Sequence, residues 1–84
     1  MKKNKYVGSY AVGSSYSQNL MLGNNLRVAC KMIRKIALDS CSYGDHGVWS
    51  VRLEDGTKVA MGLVGRNIHG APIRFGKVDV WDVQ

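Results

Sequence analysis

Acidic residues, cysteine and proline are scarce in this 84-residue chain, which has six Asp and Glu against twelve Lys and Arg, two Cys and one Pro. Each scarcity removes a class of explanation. Two thiols are too few for a disulfide scaffold. Cys30 and Cys41 also lie inside and just beyond a helix-forming stretch that would hold them about 16 Å apart, past the reach of a disulfide. Unpaired thiols fit a reducing, cytoplasmic compartment. Long apolar runs are missing as well: Tyr6 to Leu26 is 21 consecutive uncharged residues, but 11 of them are Gly, Ser, Asn or Gln, whose polar groups are costly in hydrocarbon. No membrane span and no membrane partner are expected. Met1-Lys2-Lys3-Asn4-Lys5 mimics the charged head of a secretory signal, yet Gly8 and Ser9 interrupt the stretch from Tyr6 to Val12, which is not leucine-rich. Residues 1–4 read as a flexible basic arm on a single domain spanning 1–84.

At this length folding buries about two thirds of the chain's surface. That is too little for a second core, a cofactor-enclosing cavity or a large substrate cleft, so no cofactor is expected and function is placed on the outside. The formal net charge is +6, which turns attention to anionic partners.

Along the chain, Lys5 to Val12 alternates Tyr6, Tyr10 and Val12 with Val7, Ser9 and Ala11, the period of a strand with both faces partly apolar. Residues 13–19 read as a flexible turn and Leu20-Met21-Leu22 as a short strand. Asn24 or Asn25 can cap a helix running from Leu26 to about Ser40, a stretch without Gly or Pro. With Leu26 at zero and 100° per residue, Ala29, Cys30, Ile33, Ile36 and Ala37 share its side. Arg27, Lys31, Arg34 and Lys35 occupy about 80° to 180°, with Leu38 among them. After a loop from Ser42 to Gly47, Trp49, Val51 and Leu53 form one face of a hairpin. A three-residue Glu54-Asp55-Gly56 loop with Gly56 left-handed would set them opposite Thr57, Val59 and Met61. Arg52 and Lys58 then face each other as a like-charge pair. Gly65 to Pro72 is a second loop and Ile73 to Val83 a final strand. The economical architecture is α+β: two layers, an antiparallel sheet of four to five strands against one amphipathic helix, in the order β-(β)-α-β-β-β.

Catalytic signals are thin. Cys41, Asp45, His46 and His69 are metal-binding types in loops, but their spacing matches no closed structural site, and no metal is expected. A small ribonuclease could draw acid and base from His46 and His69 and a stabilising cation from Arg66 or Arg74; no residue is placed to orient either ring. No serine sits in a strand-to-helix elbow, Cys30 belongs to the buried helix face, and Gly8 and Gly13 open no helix that could cradle a phosphate.

The cationic helix face is the stronger signal. Arg27 with Lys31 and Lys31 with Lys35 are like pairs at i+4, each costing a few tenths of a kcal/mol, and no acid shares the arc. Such a patch attracts phosphates or an acidic protein surface. Arg27 and Lys31 behind Asn24 and Asn25 could enter a major groove, but no helix-turn-helix partner exists. Tyr6, Tyr10, Trp49 or Trp81 could stack bases on an open sheet face, although core positions suit them better. Leu38 ringed by charge favours a protein surface.

A lone basic amphipathic helix between strands, followed by Val48-Trp49-Ser50-Val51-Arg52-Leu53-Glu54-Asp55-Gly56 as a sheet hairpin, is similar in plan to small phage-encoded accessory proteins, including some anti-CRISPR inhibitors. The resemblance covers the architecture of the whole chain and no residue motif. It implies a stoichiometric inhibitor of a host nucleoprotein machine, without an active site, in the host cytoplasm. The acidic DNA mimics among such inhibitors are not matched by this basic chain. The leading expectation is therefore a non-enzymatic binding protein that docks an acidic protein surface or nucleoprotein complex through Arg27, Lys31, Arg34, Lys35 and Leu38, extended by Arg52 and Lys58. General binding to RNA or DNA backbone and a small ribonuclease are the alternatives.

Overall fold

The computed structural model describes residues 5–75 and 78–80. Its elements are β1 (Tyr6–Val12), β2 (Ser15–Met21), α1 (Leu26–Asp39), β3 (His46–Leu53), β4 (Lys58–Gly65) and β5 (Val78–Val80). The strands form one antiparallel sheet in the order β2-β1-β3-β4-β5, and α1 packs across β1, β3 and β4 on one face. The fold is α+β with the expected element order. No helix among the described residues is long and apolar enough to cross a membrane.

The helix forms where its cap and stripe say it should. The Asn25 side chain accepts the Val28 N–H at 3.2 Å, satisfying one of the free donors of the first turn. Ser40 closes the other end by donating its N–H to the Ile36 and Ala37 carbonyls. Ala29, Ile33 and Ala37 are completely buried against the inner sheet face, where Tyr6, Val12, Trp49, Val51, Val59, Ala60 and Val64 complete the core. Each large aliphatic side chain removed from water in this way contributes about 1.5–3 kcal/mol. Two glycines permit the close approach. Gly8 lies beneath Ile33, and Gly62 lies beneath the Trp49 indole, where an added Cβ would stand 2.6 Å from Cζ2.

Three segments depart from the sequence expectation. First, β2 is a full strand, and the turn before it is only Gly13-Ser14, with Gly13 at φ 56°, the first position of a II′ hairpin turn. Residues 15–19 are polar enough to read as a loop because β2 is an edge strand with almost nothing to bury. An extra residue near Asn19 (φ 61°) bulges β2 against β1 between the Gly8 and Tyr10 pairings. That bulge bends the edge away from further strand pairing.

Second, the β3–β4 hairpin starts as expected and then slips. Gly56 is left-handed at φ 96°, Leu53 donates to the Thr57 carbonyl at 2.8 Å, and Arg52 pairs with Lys58. Val59 is then an extra residue in β4, so Val51 faces Ala60 and Trp49 faces Gly62 instead of Val59 and Met61. The bulge keeps Val59 buried, places a glycine under the indole and sends Met61 to the opposite face. Third, among the described residues the final strand is Val78–Val80, and Ile73, Arg74 and Phe75, expected within it, have no strand assignment. The expectations for the arm at residues 1–4 and for Trp81 and Val83 lie outside the described residues.

Gly62→Ala is expected to destabilise the fold by about 1–3 kcal/mol through overpacking against Trp49, read as a lowered urea midpoint with Trp fluorescence. A second outcome concerns the hairpin turn. The Asp55 carboxylate is held below its ordinary range by the Thr57 hydroxyl and then by the Thr57 N–H, at 2.9 Å. Its stabilisation of the turn is present above the unfolded-state carboxylate pKa and lost as pH falls through the lowered folded value. NMR should show the Thr57 amide losing protection on acidification, and Asp55→Asn, which keeps an acceptor, should remove that pH dependence.

Candidate functional site

Burial of Ala29, Ile33 and Ala37 fixes the rotation of α1 and turns Arg27, Lys31, Arg34 and Lys35 to solvent, all four exposed. Among the described residues the one ion pair within 4.0 Å is Arg66 with Asp39, so these four cations have no carboxylate at that distance. Asp79 is paired in register with Met61 on the sheet face turned away from the helix; Asp82 lies outside the described residues. Between the cationic arc and the core, Cys30 is half-buried, and burial pushes its thiol above the ordinary range while the nearby Arg34 pulls it down.

Leu38, expected exposed among the cations, is half-buried and packs against the core. It does so because β4 and the chain after it rise beside α1. With Lys31, Arg34 and Lys35 it forms one bank of a groove of about 350 Å³ whose other lining is Leu63, Val64, Pro72 and Ile73. Ile73 is 41% exposed, so the groove presents aliphatic surface to solvent beside three cations; Leu63 pairs with Val48 on the outer sheet face and borders the groove at its rim.

The far bank is held by a dense set of hydrogen bonds. Asn67 Oδ1 accepts the N–H groups of His69 and Ala71 at 2.9 and 3.0 Å. Ile73 donates its N–H to the Gly65 carbonyl at 2.9 Å, and Gly44 donates to the Arg66 and Asn67 carbonyls. Arg66 then joins the two banks: its Nε donates to the Leu38 carbonyl at 3.1 Å and its Nη1 to the Gly70 carbonyl at 2.7 Å. The Leu38 carbonyl belongs to the last turn of α1, where free acceptors and the negative end of the helix dipole both favour a cation. α1 has no basic residue of its own in that turn. The sequence offered no signal for this role of Arg66 because its partners come from two distant segments.

Arg52 and Lys58 do not join the helix patch. They pair on the outer sheet face, the side opposite α1, and Arg52 reaches across β1 to donate to Asn19 Oδ1 on β2. That face has no second layer among the described residues. It carries Ser9 and Ser50, hydrogen-bonded at 2.8 Å, with Ala11, Tyr16, Gln18 and Val48 around a shallow depression of about 250 Å³. Of the aromatics considered for base stacking, Tyr6 and Trp49 are core, and Tyr10 turns inward with its hydroxyl 2.9 Å from Ser40 Oγ. Trp81 lies outside the described residues. Tyr16, which the pattern assigned to a turn, is the aromatic that β2 presents to solvent, 74% exposed.

His46 and His69 are exposed, at the start of β3 and in the 66–72 loop. Arg66, a candidate cation for phosphate chemistry, is committed to the carbonyls of Leu38 and Gly70. Cys41 is buried below the end of α1, its thiol donating to the Asp45 carbonyl at 3.1 Å. Both cysteines are free. No three His, Cys, Asp or Glu side chains cluster closely enough to hold a metal ion among the described residues.

Searches against protein-family models, curated proteins and solved structures each return no match to this chain.

Arg66→Ala is expected to cost about 1–3 kcal/mol by leaving the Gly70 carbonyl without its guanidinium donor and the Leu38 carbonyl with only the Cys41 N–H, measured by urea denaturation. Alkylation of Cys30 by iodoacetamide at about pH 8 is expected to be slower in the native protein than in the urea-unfolded chain, because only the thiolate reacts; mass spectrometry of the labelled peptide checks it.

Proposed function

We propose that this protein is a non-enzymatic docking module that engages an anionic macromolecular surface through the cationic face of α1. The observation that carries the reading is the arc of Arg27, Lys31, Arg34 and Lys35, four exposed cations without a carboxylate within 4.0 Å among the described residues. Like charges one turn apart destabilise an isolated helix, and an anionic partner removes that penalty on docking. The same field steers a partner of opposite charge during encounter. Arg52 and Lys58, on the other layer, are not part of this surface. In the form implied by the resemblance to small phage-encoded accessory proteins, the partner is a host nucleoprotein complex. The effect is then occupancy of its surface rather than chemistry.

General nucleic-acid binding uses the same cations and is separated from protein docking by salt and nuclease. Phosphate contacts lose affinity steeply between about 50 and 200 mM salt through counterion release, and nuclease treatment abolishes them. The ribonuclease reading has less support, because Arg66 is already engaged, which leaves exposed Arg74 as its cation, and no hydrogen bond orients the His46 or His69 ring among the described residues.

The test is a pull-down from the natural host with and without nuclease, using wild type and the Lys31→Glu, Arg34→Glu double variant. The double variant is expected to keep the wild-type melting temperature within a few degrees, since both residues are exposed, and to lose the captured partner. Undiminished capture by the folded double variant overturns the assignment of this face.

A further inference from the structure

We infer that the groove beside α1 seats an extended acidic protein segment carrying one apolar side chain. That side chain enters between Leu38 and Ile73 while its flanking carboxylates meet Lys31, Arg34 and Lys35. The inference rests on the docking reading above and narrows the anionic partner to a protein segment.

The lining makes the choice. Three cations stand on the helix bank, and the floor and far bank are Leu38, Leu63, Val64, Pro72 and Ile73, with no carboxylate among the lining residues. A ligand that satisfies both halves needs negative charge and an apolar group within one or two residues of each other. An acidic peptide with a leucine, isoleucine or phenylalanine has this combination. A nucleic-acid backbone supplies the charge but gains nothing from the aliphatic floor, and no aromatic side chain lines the groove to stack an unpaired base. At about 350 Å³ the space lies at the small end of ligand pockets, suited to one inserted side chain with the rest of the segment lying along α1.

The groove is also formed in advance. Arg66 clamps the Leu38 carbonyl to Gly70, and the Asn67 and Gly65 hydrogen bonds hold the chain leading to Pro72 and Ile73. Little ordering of the protein is needed on binding, which leaves more of the contact energy as affinity. Charge then sets which segments approach, and the pocket selects among them by the inserted side chain.

The experiment uses three fluorescein-labelled probes at about 0.1 M salt, where charge effects persist over roughly 10 Å. They are a short glutamate peptide with a central leucine, the same peptide with a central alanine, and a single-stranded oligodeoxynucleotide of equal charge. Fluorescence anisotropy is expected to give at least a tenfold tighter Kd for the leucine peptide than for the alanine peptide, the scale of a few buried methylene groups. Ile73→Ser, at an exposed position outside the core, is expected to remove that difference while keeping alanine-peptide binding. Ile73→Ala serves the same purpose if Ile73→Ser lowers the melting temperature. The Lys31→Glu, Arg34→Glu double variant is expected to lose both peptides. Equal wild-type affinity for the two peptides overturns the apolar anchor and leaves cationic docking standing. An oligonucleotide that binds tighter than the leucine peptide overturns the choice of a protein segment. Failure of wild type to bind any of the three overturns the docking face itself.

Discussion

A single helix of 14 residues has to cover the three middle strands, β1, β3 and β4, of a five-stranded sheet, and the molecule is arranged around that constraint. Coverage is achieved by close approach at two glycines. Ile33 descends onto Gly8, and the Trp49 indole lies over Gly62. Ala29 and Ala37, one turn either side of Ile33, are small enough to let the helix backbone follow it down. Interiors are packed to crystal-like density, so this small-large-small stripe tolerates little rotation of α1. The direction in which the four cations point is therefore a consequence of core packing.

The interaction that steadies the fold at the end of α1 also shapes the surface beside it. A helix without a basic residue in its last turn leaves acceptors at the negative end of its dipole, and Arg66, arriving from the end of β4, supplies the cation and the donors. Because the same guanidinium holds Gly70, the loop leading to Pro72 and Ile73 is fixed relative to Leu38. Core stability and groove geometry thus share one side chain. The lysines and arginines on the outward arc have the opposite character: they repel one another along the helix and contribute nothing to packing.

The two faces of the sheet have different fates. α1 covers the inner face at β1, β3 and β4 and leaves Val78 and Val80 of β5 exposed, whereas the outer face keeps hydroxyls and the Arg52 to Asn19 hydrogen bond. The bulge at β2 is of the kind that guards an exposed edge against uncontrolled strand pairing, and the bulge at Val59 in β4 keeps both Val59 and its neighbour Ala60 in the core. Both bulges are single-residue insertions, and each reverses which side chains face inward beyond it.

The amino-acid pattern by itself determined the helix, its cap, its buried stripe and its cationic arc, because these depend on residues within a few turns of one another. It also determined the left-handed Gly56 turn and the pairing of Arg52 with Lys58, which follow from local backbone geometry. Only the tertiary structure decided that Ser15–Met21 is a strand, since an edge strand with little to bury carries no alternation to read. The bulge that exchanged Met61 for Gly62 beneath Trp49 was likewise set by the space under an indole. The split of Arg52 and Lys58 from the helix patch, the inward turn of Leu38 and the clamp made by Arg66 depend on which distant segments lie side by side. Periodicity reports the face of an element and not its neighbour, and a groove is made of neighbours.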